Sequence, residues 1–363
     1  MPNAQLISYI APGAPATRRL ASGPLPFLRP ELGFTPRWYH EALGIDFGER
    51  WHTDPARRSL ALIAMRRELA RRFGAELFAW AHEPLNAPAD LLTGAFGACI
   101  VPAIYGVPIR YAPDHWPASK HQHLSDPQAD ALEPPGLDSN PFFLSLLAQL
   151  EWIARRGRPV AGHLNWQGVL NTAYRLRGQA IFTDMALAPK RAQRLFACVA
   201  TTLRDAARRM HDRQQHSGFS VGFFTVSNCL VNLVSPEQYR RFLMPHDQRL
   251  AEEFGLLGIH NCAWDATPYL DAYATLPHVG YLDMGIETDL AKARRRFPHA
   301  RRAIMYTPMA VRDKPLDGIR ADLERIASEC GPCDIVLADI EAGTPDERVR
   351  QVAELCRRTG EAR

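Results

Sequence analysis

Leu256-Leu257-Gly258-Ile259-His260-Asn261-Cys262 follows a helix-like run, Ser235 to Phe254, across glycines at 255 and 258. Its apolar half reads as a buried strand, and a helix followed by a short apolar strand is the unit that recurs through the chain. Helices are expected over 141–155, 189–212, 235–254, 265–275, 287–297, 314–329 and 345–358. They alternate with strands expected over 158–164, 219–226, 256–262, 278–283, 302–307 and 334–338. A further strand is expected over 96–103, and a helix over 55–73 that Asp54 can cap. Such alternation implies a parallel sheet, and no Gly-x-Gly-x-x-Gly turn points to an open dinucleotide fold. The expected fold is therefore α/β, a (β/α)8 TIM barrel. An irregular arm over 1–36, rich in Pro, Ala and Gly, precedes a single barrel domain over 37–363 that begins with an extra N-terminal helix.

In such barrels the chemistry sits at the carboxyl ends of the strands. Those ends carry Asn165, Ser227 with Asn228, His260 with Cys262, Asp283, Tyr306, and Asp339 with Glu341. On a strand, residues two apart face the same side, so His260 and Cys262 would aim a nitrogen and a sulfur into one space, roughly 6–7 Å apart along the backbone. Both could reach one borderline-soft ion such as zinc. The aromatic stretch containing Trp38 could line a pocket or cover the barrel bottom.

Other motifs point elsewhere. Cys330-Gly331-Pro332-Cys333 has the spacing of a redox dithiol, but it follows a helix instead of opening one. Its thiols would miss the helix N-terminus that lowers a thiol pKa, and would lie on the barrel face opposite the site. His121 and His123 fall in a polar loop, and His211 and His216 near the end of a long helix; all four read as solvent-facing. A net charge of +4, with arginines scattered along helices, gives no footprint for nucleic acid or an anionic membrane. No apolar run is long enough to span a bilayer. Seven dispersed cysteines with no secretory signal suggest free thiols, hence a soluble, cytoplasmic protein.

The chain resembles the uroporphyrinogen decarboxylase superfamily from about Phe34 onward. The segments that carry the resemblance are Thr35-Pro36-Arg37-Trp38, Leu176-Arg177-Gly178 with Phe182-Thr183-Asp184-Met185, and Ser235-Pro236-Glu237-Gln238-Tyr239 followed by Pro245. Gly258 to Cys262, Tyr281-Leu282-Asp283 and Gly343-Thr344-Pro345-Asp346-Glu347 complete the set. The superfamily fold is a (β/α)8 barrel. Its decarboxylase branch carries arginines just after the early aromatic pair and an aspartate at the first strand end. Here Trp38-Tyr39 is followed by His40 to Gly44, and the stretch Ile100 to Ala103 has no acid. A tetracarboxylate porphyrinogen would lack its guanidinium partners.

The cobalamin-dependent methyltransferase branch is similar at His260-x-Cys262. Its signature adds a cysteine after the last strand, and the three residues hold zinc. After strand 334–338 this chain has Asp339 and Glu341 but no cysteine. The resemblance thus implies metal ligation by His260, Cys262 and Glu341, with Asp339 as substitute, and zinc, iron or manganese as the ion. Asp283, Asn165 and Asn228 are the catalytic candidates, and Trp38, Ser227 and Tyr306 the substrate-binding ones. The implied activity is methyl transfer between a corrinoid, free or on a corrinoid protein, and a small substrate, a thiol among the candidates. The alternatives are a lyase acting on a small carboxylated substrate and a non-catalytic barrel that binds a corrinoid or tetrapyrrole.

Overall fold

The computed structural model describes residues 4–363. A hairpin of β1 (Leu6–Tyr9) and β2 (Thr17–Leu20) comes first, followed by β3 (Leu28–Phe34). A second hairpin joins β4 (Ile109–Ala112) to β5 (His115–Ser119). The remaining strands are β6 (Phe224–Ser227), β7 (Leu257–His260), β8 (Val279–Met284), β9 (Arg301–Met305) and β10 (Cys333–Ile340). Six of them form one parallel sheet in the order β3-β10-β9-β8-β7-β6, so the first strand of the sheet lies beside the last. Strand β10, flanked by β3 and β9, is apolar at most positions because it is buried along nearly all its length.

Local chemistry sets the helix boundaries. Asp54 Oδ1 accepts from Ala56 N at 2.9 Å and Arg57 N at 3.2 Å, with Pro55 at the first position, and starts the helix Pro55–Phe73. Asn140 does the same for Pro141–Ala154, accepting from Phe143 N at 2.9 Å. The expected helix over 235–254 divides into Pro236–Gln238, a π-turn Tyr239–Leu243 and Met244–Phe254. Pro245 explains the break, since it has no N–H to complete an i→i−4 bond.

Three expectations need correction. The stretch 96–103 is no strand: it passes through turns with positive φ at Phe96 and Gly97 into a short helix, Ile100–Ile104. Pro102 lacks a ladder donor, and an apolar run without period does not distinguish strand from buried helix. The strand expected over 158–164 is reduced to one parallel bridge, Asp90 to Ala161, beside Pro159 and a left-handed Gly162. The described part of the arm expected over 1–36, residues 4–36, is not irregular, for it holds β1, β2 and β3. Arg29 and Glu31 hide the apolar pattern of β3 because their charges are neutralised inside the fold.

Asp334 is fully buried and gathers Arg29 Nη2 at 2.9 Å, Arg301 Nε at 2.8 Å and the amide of Ser8 at 2.8 Å. Glu31 Oε1 accepts from the amide of Ile10 at 2.8 Å. These bonds fasten the first hairpin onto the sheet, where Leu6 and Ile10 pack with Tyr281, Ala303 and Val336. Asp334→Ala would leave the buried Arg301 guanidinium without a carboxylate and Arg29 with Glu31 alone. It is expected to cost about 3–5 kcal/mol, read from the urea midpoint of unfolding at unchanged slope.

Candidate metal centre

β6 and β7 run side by side in parallel with Ser227 opposite His260, so the residues just beyond the two strand ends are neighbours. The chain leaves β7 at His260 and turns at Cys262, which has φ +62°. A non-glycine residue held there costs about 1–3 kcal/mol, the kind of strain that surrounding structure must impose. The turn brings Cys262 Sγ to 3.1 Å from His260 Nε2, and to 2.9 Å from the Sγ of Cys229, which follows β6. All three donor atoms lie within 4.8 Å of one another, and the three residues are partly buried. The nitrogen and sulfur foreseen at His260 and Cys262 do converge, by a turn and not by strand alternation.

Behind the histidine stands Asp283, fully buried at the end of β8. Its Oδ2 is 2.8 Å from His260 Nδ1, and it accepts from Tyr281 OH at 3.2 Å and from the guanidinium of Arg18. Its Oδ1 accepts from the amide of Asn261 at 2.7 Å, while Asn261 Nδ2 returns to the Asp283 carbonyl at 2.8 Å. Arg18 reaches this point from the first hairpin, its Nη2 also 2.7 Å from His260 Nδ1. Burial alone would raise the Asp283 pKa, but the charges of His260 and Arg18 hold it below the ordinary value. Burial likewise works against a charged imidazole, yet Asp283 and then Cys229 outweigh it and push His260 up to about 9. The Cys262 thiol donates to Cys229, which lowers the Cys229 pKa well below its usual value and raises that of Cys262. Of the two sulfurs Cys229 is thus the one biased toward the thiolate, and His260 is biased toward its charged form.

The Cys229 turn is braced from two sides. Asn228 N donates to the His260 carbonyl at 2.6 Å, and its Nδ2 donates to the buried Asp247 at 3.1 Å. Leu230 N donates to Asn171 Oδ1 at 3.1 Å, Asn171 Nδ2 to Gln167 Oε1 at 3.1 Å, and Gln167 Nε2 to Asn165 Oδ1 at 2.7 Å. Gly168 opens the helix Val169–Arg177 in this region, and a Cβ there would stand 2.6 Å from the Ser227 carbonyl oxygen. Only glycine permits that approach.

The sequence-predicted site residues separate accordingly. Asp283, Asn228 and Ser227 lie around the three donors, and Asn165 belongs to the chain of amides behind Cys229. Glu341 is exposed, with its charge felt by Arg312. Asp339, at φ +56°, is exposed and accepts from Trp116 Nε1 at 3.4 Å. Neither acid joins the donor cluster; Cys229 takes the place expected of them. Trp38 is a core residue, packed on Phe34 and beneath the guanidinium of Arg72. Tyr306 turns away, its hydroxyl donating to Asp322 on the helix Leu316–Glu329 at 2.6 Å. Cys330 and Cys333 are buried at the amino end of β10, far from this site in the strand direction. His211 is not solvent-facing as expected but packs edge-on against Phe254. Cys229 was legible in one respect: it lies just past a strand end next to the one that carries His260.

The donor set fits zinc. Two sulfurs and an imidazole nitrogen are its preferred ligands, and their oxygen-poor chemistry disfavours harder ions. Tetrahedral zinc would separate such donors by roughly 3.5–3.8 Å, so the two contacts made by Cys262, at 2.9 and 3.1 Å, would need to open by less than about 1 Å. A ligating histidine is normally anchored through its other nitrogen by a carboxylate, as Asp283 anchors His260. The set supplies three ligands, which leaves one position of a tetrahedron for another molecule.

No family model and no curated protein matches the chain. Among solved structures, the fold is similar to that of a methyltransferase from Methanosarcina mazei, with a TM-score of 0.62 and 15% sequence identity. That match covers 92% of this chain and 94% of the other. At this identity the likeness establishes a shared fold.

Two outcomes are expected in metal titrations. The protein binds about one zinc per chain, measured by elemental analysis after dialysis, and Cys229→Ser reduces retention roughly 10–100-fold while Glu341→Ala does not. Binding near neutral pH expels about two protons, one from the thiol pair and one from His260, detected with a pH indicator in weak buffer. Because the His260 proton persists up to about pH 9, apparent affinity rises as pH is raised toward that value and falls below it.

Proposed function

We propose that the protein is a zinc-dependent methyltransferase of the uroporphyrinogen decarboxylase-like superfamily, moving a methyl group between a corrinoid and a small thiol substrate in the cytoplasm. The observation that carries this reading is the convergence of Cys229, His260 and Cys262, three donors that would leave a four-coordinate ion open to substrate. The fold shared with a methyltransferase supports it. The sheet order, with the first strand beside the last and a bridge from Asp90 to Ala161, supports a (β/α)8 barrel whose second and third strands run through those two residues.

The third ligand comes from an unexpected place. The resemblance puts it after the last strand; we assign it to Cys229, after β6. This restores a two-sulfur site and removes the reason to consider iron or manganese in place of zinc. Zinc held there would supply Lewis acidity, so that a coordinated thiol is deprotonated near neutral pH and becomes a nucleophile. The protein's own groups do the rest. Asp283 fixes the His260 ring so that Nε2 faces the donors, and Arg18 offsets the carboxylate's charge from within the fold. Asn228 and Asn171 hold the Cys229 turn against the end of β7. The β4–β5 hairpin reaches Asp339 through Trp116, and we assign it the role of shielding the mouth from water.

Methylcobalamin serves as a test donor in place of a methylated corrinoid protein. Zinc-loaded protein is expected to demethylate it in the presence of a small thiol, followed by the change in its visible spectrum, and His260→Ala or Cys229→Ser to lower the rate at least about 100-fold. Turnover that survives both substitutions and complete zinc removal would overturn this reading; metal-independent loss of carbon dioxide from a small acid would replace it with the lyase.

A further inference from the structure

Successive residues of a strand point to opposite sides, so the first hairpin has two distinct faces. Ser8 and Arg18 are partners in the β1–β2 register and share the face that reaches Tyr281 and Asp283. Tyr9 and Arg19 belong to the other face, where the Arg19 guanidinium lies 4.9 Å from the centre of the Tyr9 ring. That second face borders a cavity of about 530 Å³ whose wall also includes Arg158, His163 and Phe219. None of the three metal donors lines it, and Phe219 precedes β6 whereas Cys229 follows it. The cavity is therefore separate from the metal centre.

Its volume falls in the range of roughly 300–1,000 Å³ typical of sites that enclose a small organic molecule. One part of the wall is aromatic. The His163 ring meets Tyr9 edge-on with 6.3 Å between centres, and lies 5.7 Å from the Phe219 ring. Burial pushes the His163 pKa down to about 3, so the ring is neutral near pH 7. Its buried Nδ1 has no hydrogen-bond partner among the described residues. A polar atom left unfilled away from water is costly, and a molecule that fills it gains accordingly.

The charged groups of the wall differ in their commitments. Both acids are taken. Glu83 accepts from Arg66 at 2.9 Å and from the amide of Ala89 at 3.1 Å. Asp90 accepts from the Tyr9 hydroxyl at 3.0 Å and from the amides of Leu92 and Thr93 at 3.2 and 3.0 Å. The two arginines are not taken. Arg19 donates only to the Ala79 carbonyl at 2.8 Å and Arg158 only to the Pro88 carbonyl at 3.4 Å, and neither has an ion pair among the described residues. Each guanidinium thus keeps most of its five donors for a planar oxyanion.

We propose that this cavity binds a flat organic acid, its ring packed along His163 and Phe219 and its carboxylate held by Arg19 and Arg158. This inference does not depend on the methyl-transfer reading.

The test is isothermal titration calorimetry of the full-length protein with 2-naphthoate and with its neutral counterpart 2-naphthamide. Naphthoate is expected to saturate one site per chain, and naphthamide to bind at least about tenfold more weakly. Arg158→Gln, at an exposed position, is expected to weaken naphthoate about tenfold and to leave naphthamide unchanged. Arg19→Gln acts in the same direction, while Phe219→Ala weakens both compounds. Zinc-loaded and zinc-free protein are expected to bind naphthoate alike, since the cavity contains no metal donor. Absence of saturable naphthoate binding, equal affinity for acid and amide, or an acid preference unchanged by Arg158→Gln overturns the proposal. So does loss of naphthoate binding in the zinc-free protein, which would put the acid at the metal centre.

Discussion

A single buried carboxylate, Asp283, organises the site. Its two oxygens receive the His260 ring, the Arg18 guanidinium, the Tyr281 hydroxyl and the Asn261 amide. A carboxylate with no exposure is tolerable only when its lone pairs are filled and its charge is met. Each partner therefore has to be where it is, and they come from three places: the first hairpin, the end of β7, and β8 itself. Arg18 is the most demanding of them, because it must be carried in on a separate hairpin. That requirement accounts for the second buried carboxylate, Asp334, which holds the same hairpin from below through Ser8 while neutralising Arg29 and Arg301. The two acids and three arginines act as a frame on which the histidine is mounted.

The consequences reach the sulfur atoms. Asn261, locked to Asp283 at both its backbone amide and its side chain and to Tyr273 OH at 2.8 Å, fixes the residue between His260 and Cys262. With Asn261 immobile, Cys262 turns into the left-handed region and its sulfur swings back toward the ring. A free loop would relax from such a conformation; here the bonds from Asn261 to the Oδ1 and to the backbone carbonyl of Asp283 would have to break first. The same carboxylate thus orients the nitrogen ligand directly and one sulfur ligand indirectly.

The sequence made the alternating core legible from 235 onward, since strands at 256–262, 278–283, 302–307 and 334–338 and their helices rest on local apolar pattern and caps. Strands whose burial relies on distant partners were harder to read. β3 carries Arg29, Pro30 and Glu31, which look like surface residues until Asp334 and Ile10 are placed beside them. His260, Cys262 and Asp283 were legible because they stand at strand ends in motifs. Cys229 was passed over although Ser227 and Asn228 beside it were noticed: its value depends on the parallel register of β6 with β7, which no local pattern displays. Arg18 was hidden for the same reason, 242 residues away from the histidine it touches. Trp38 and Tyr306 misled in the opposite direction. Aromatic residues near expected strand ends serve packing as readily as binding, and here Phe34, Arg72 and Asp322 claim them.

Charge balance connects the proposed chemistry to the residues that flank it. On the zinc reading, two thiolates and a neutral imidazole cancel the charge of the ion, and Arg18 and Asp283 cancel one another behind it. The assembled centre is then neutral, and a thiolate arriving at the fourth position makes it anionic. A centre that carries negative charge raises the basicity of its sulfurs and so favours attack on an electrophilic methyl group, but it repels a second negative charge on the same substrate. Asp339 and Glu341 are not among the three donors, yet the charges of Asp339 and His260 act on one another, so an acid stands within electrostatic reach of the centre. With Cys229 as third ligand in place of an acid, the charge that balances the ion comes from two sulfurs, and Asp339 contributes its field from outside the donor set.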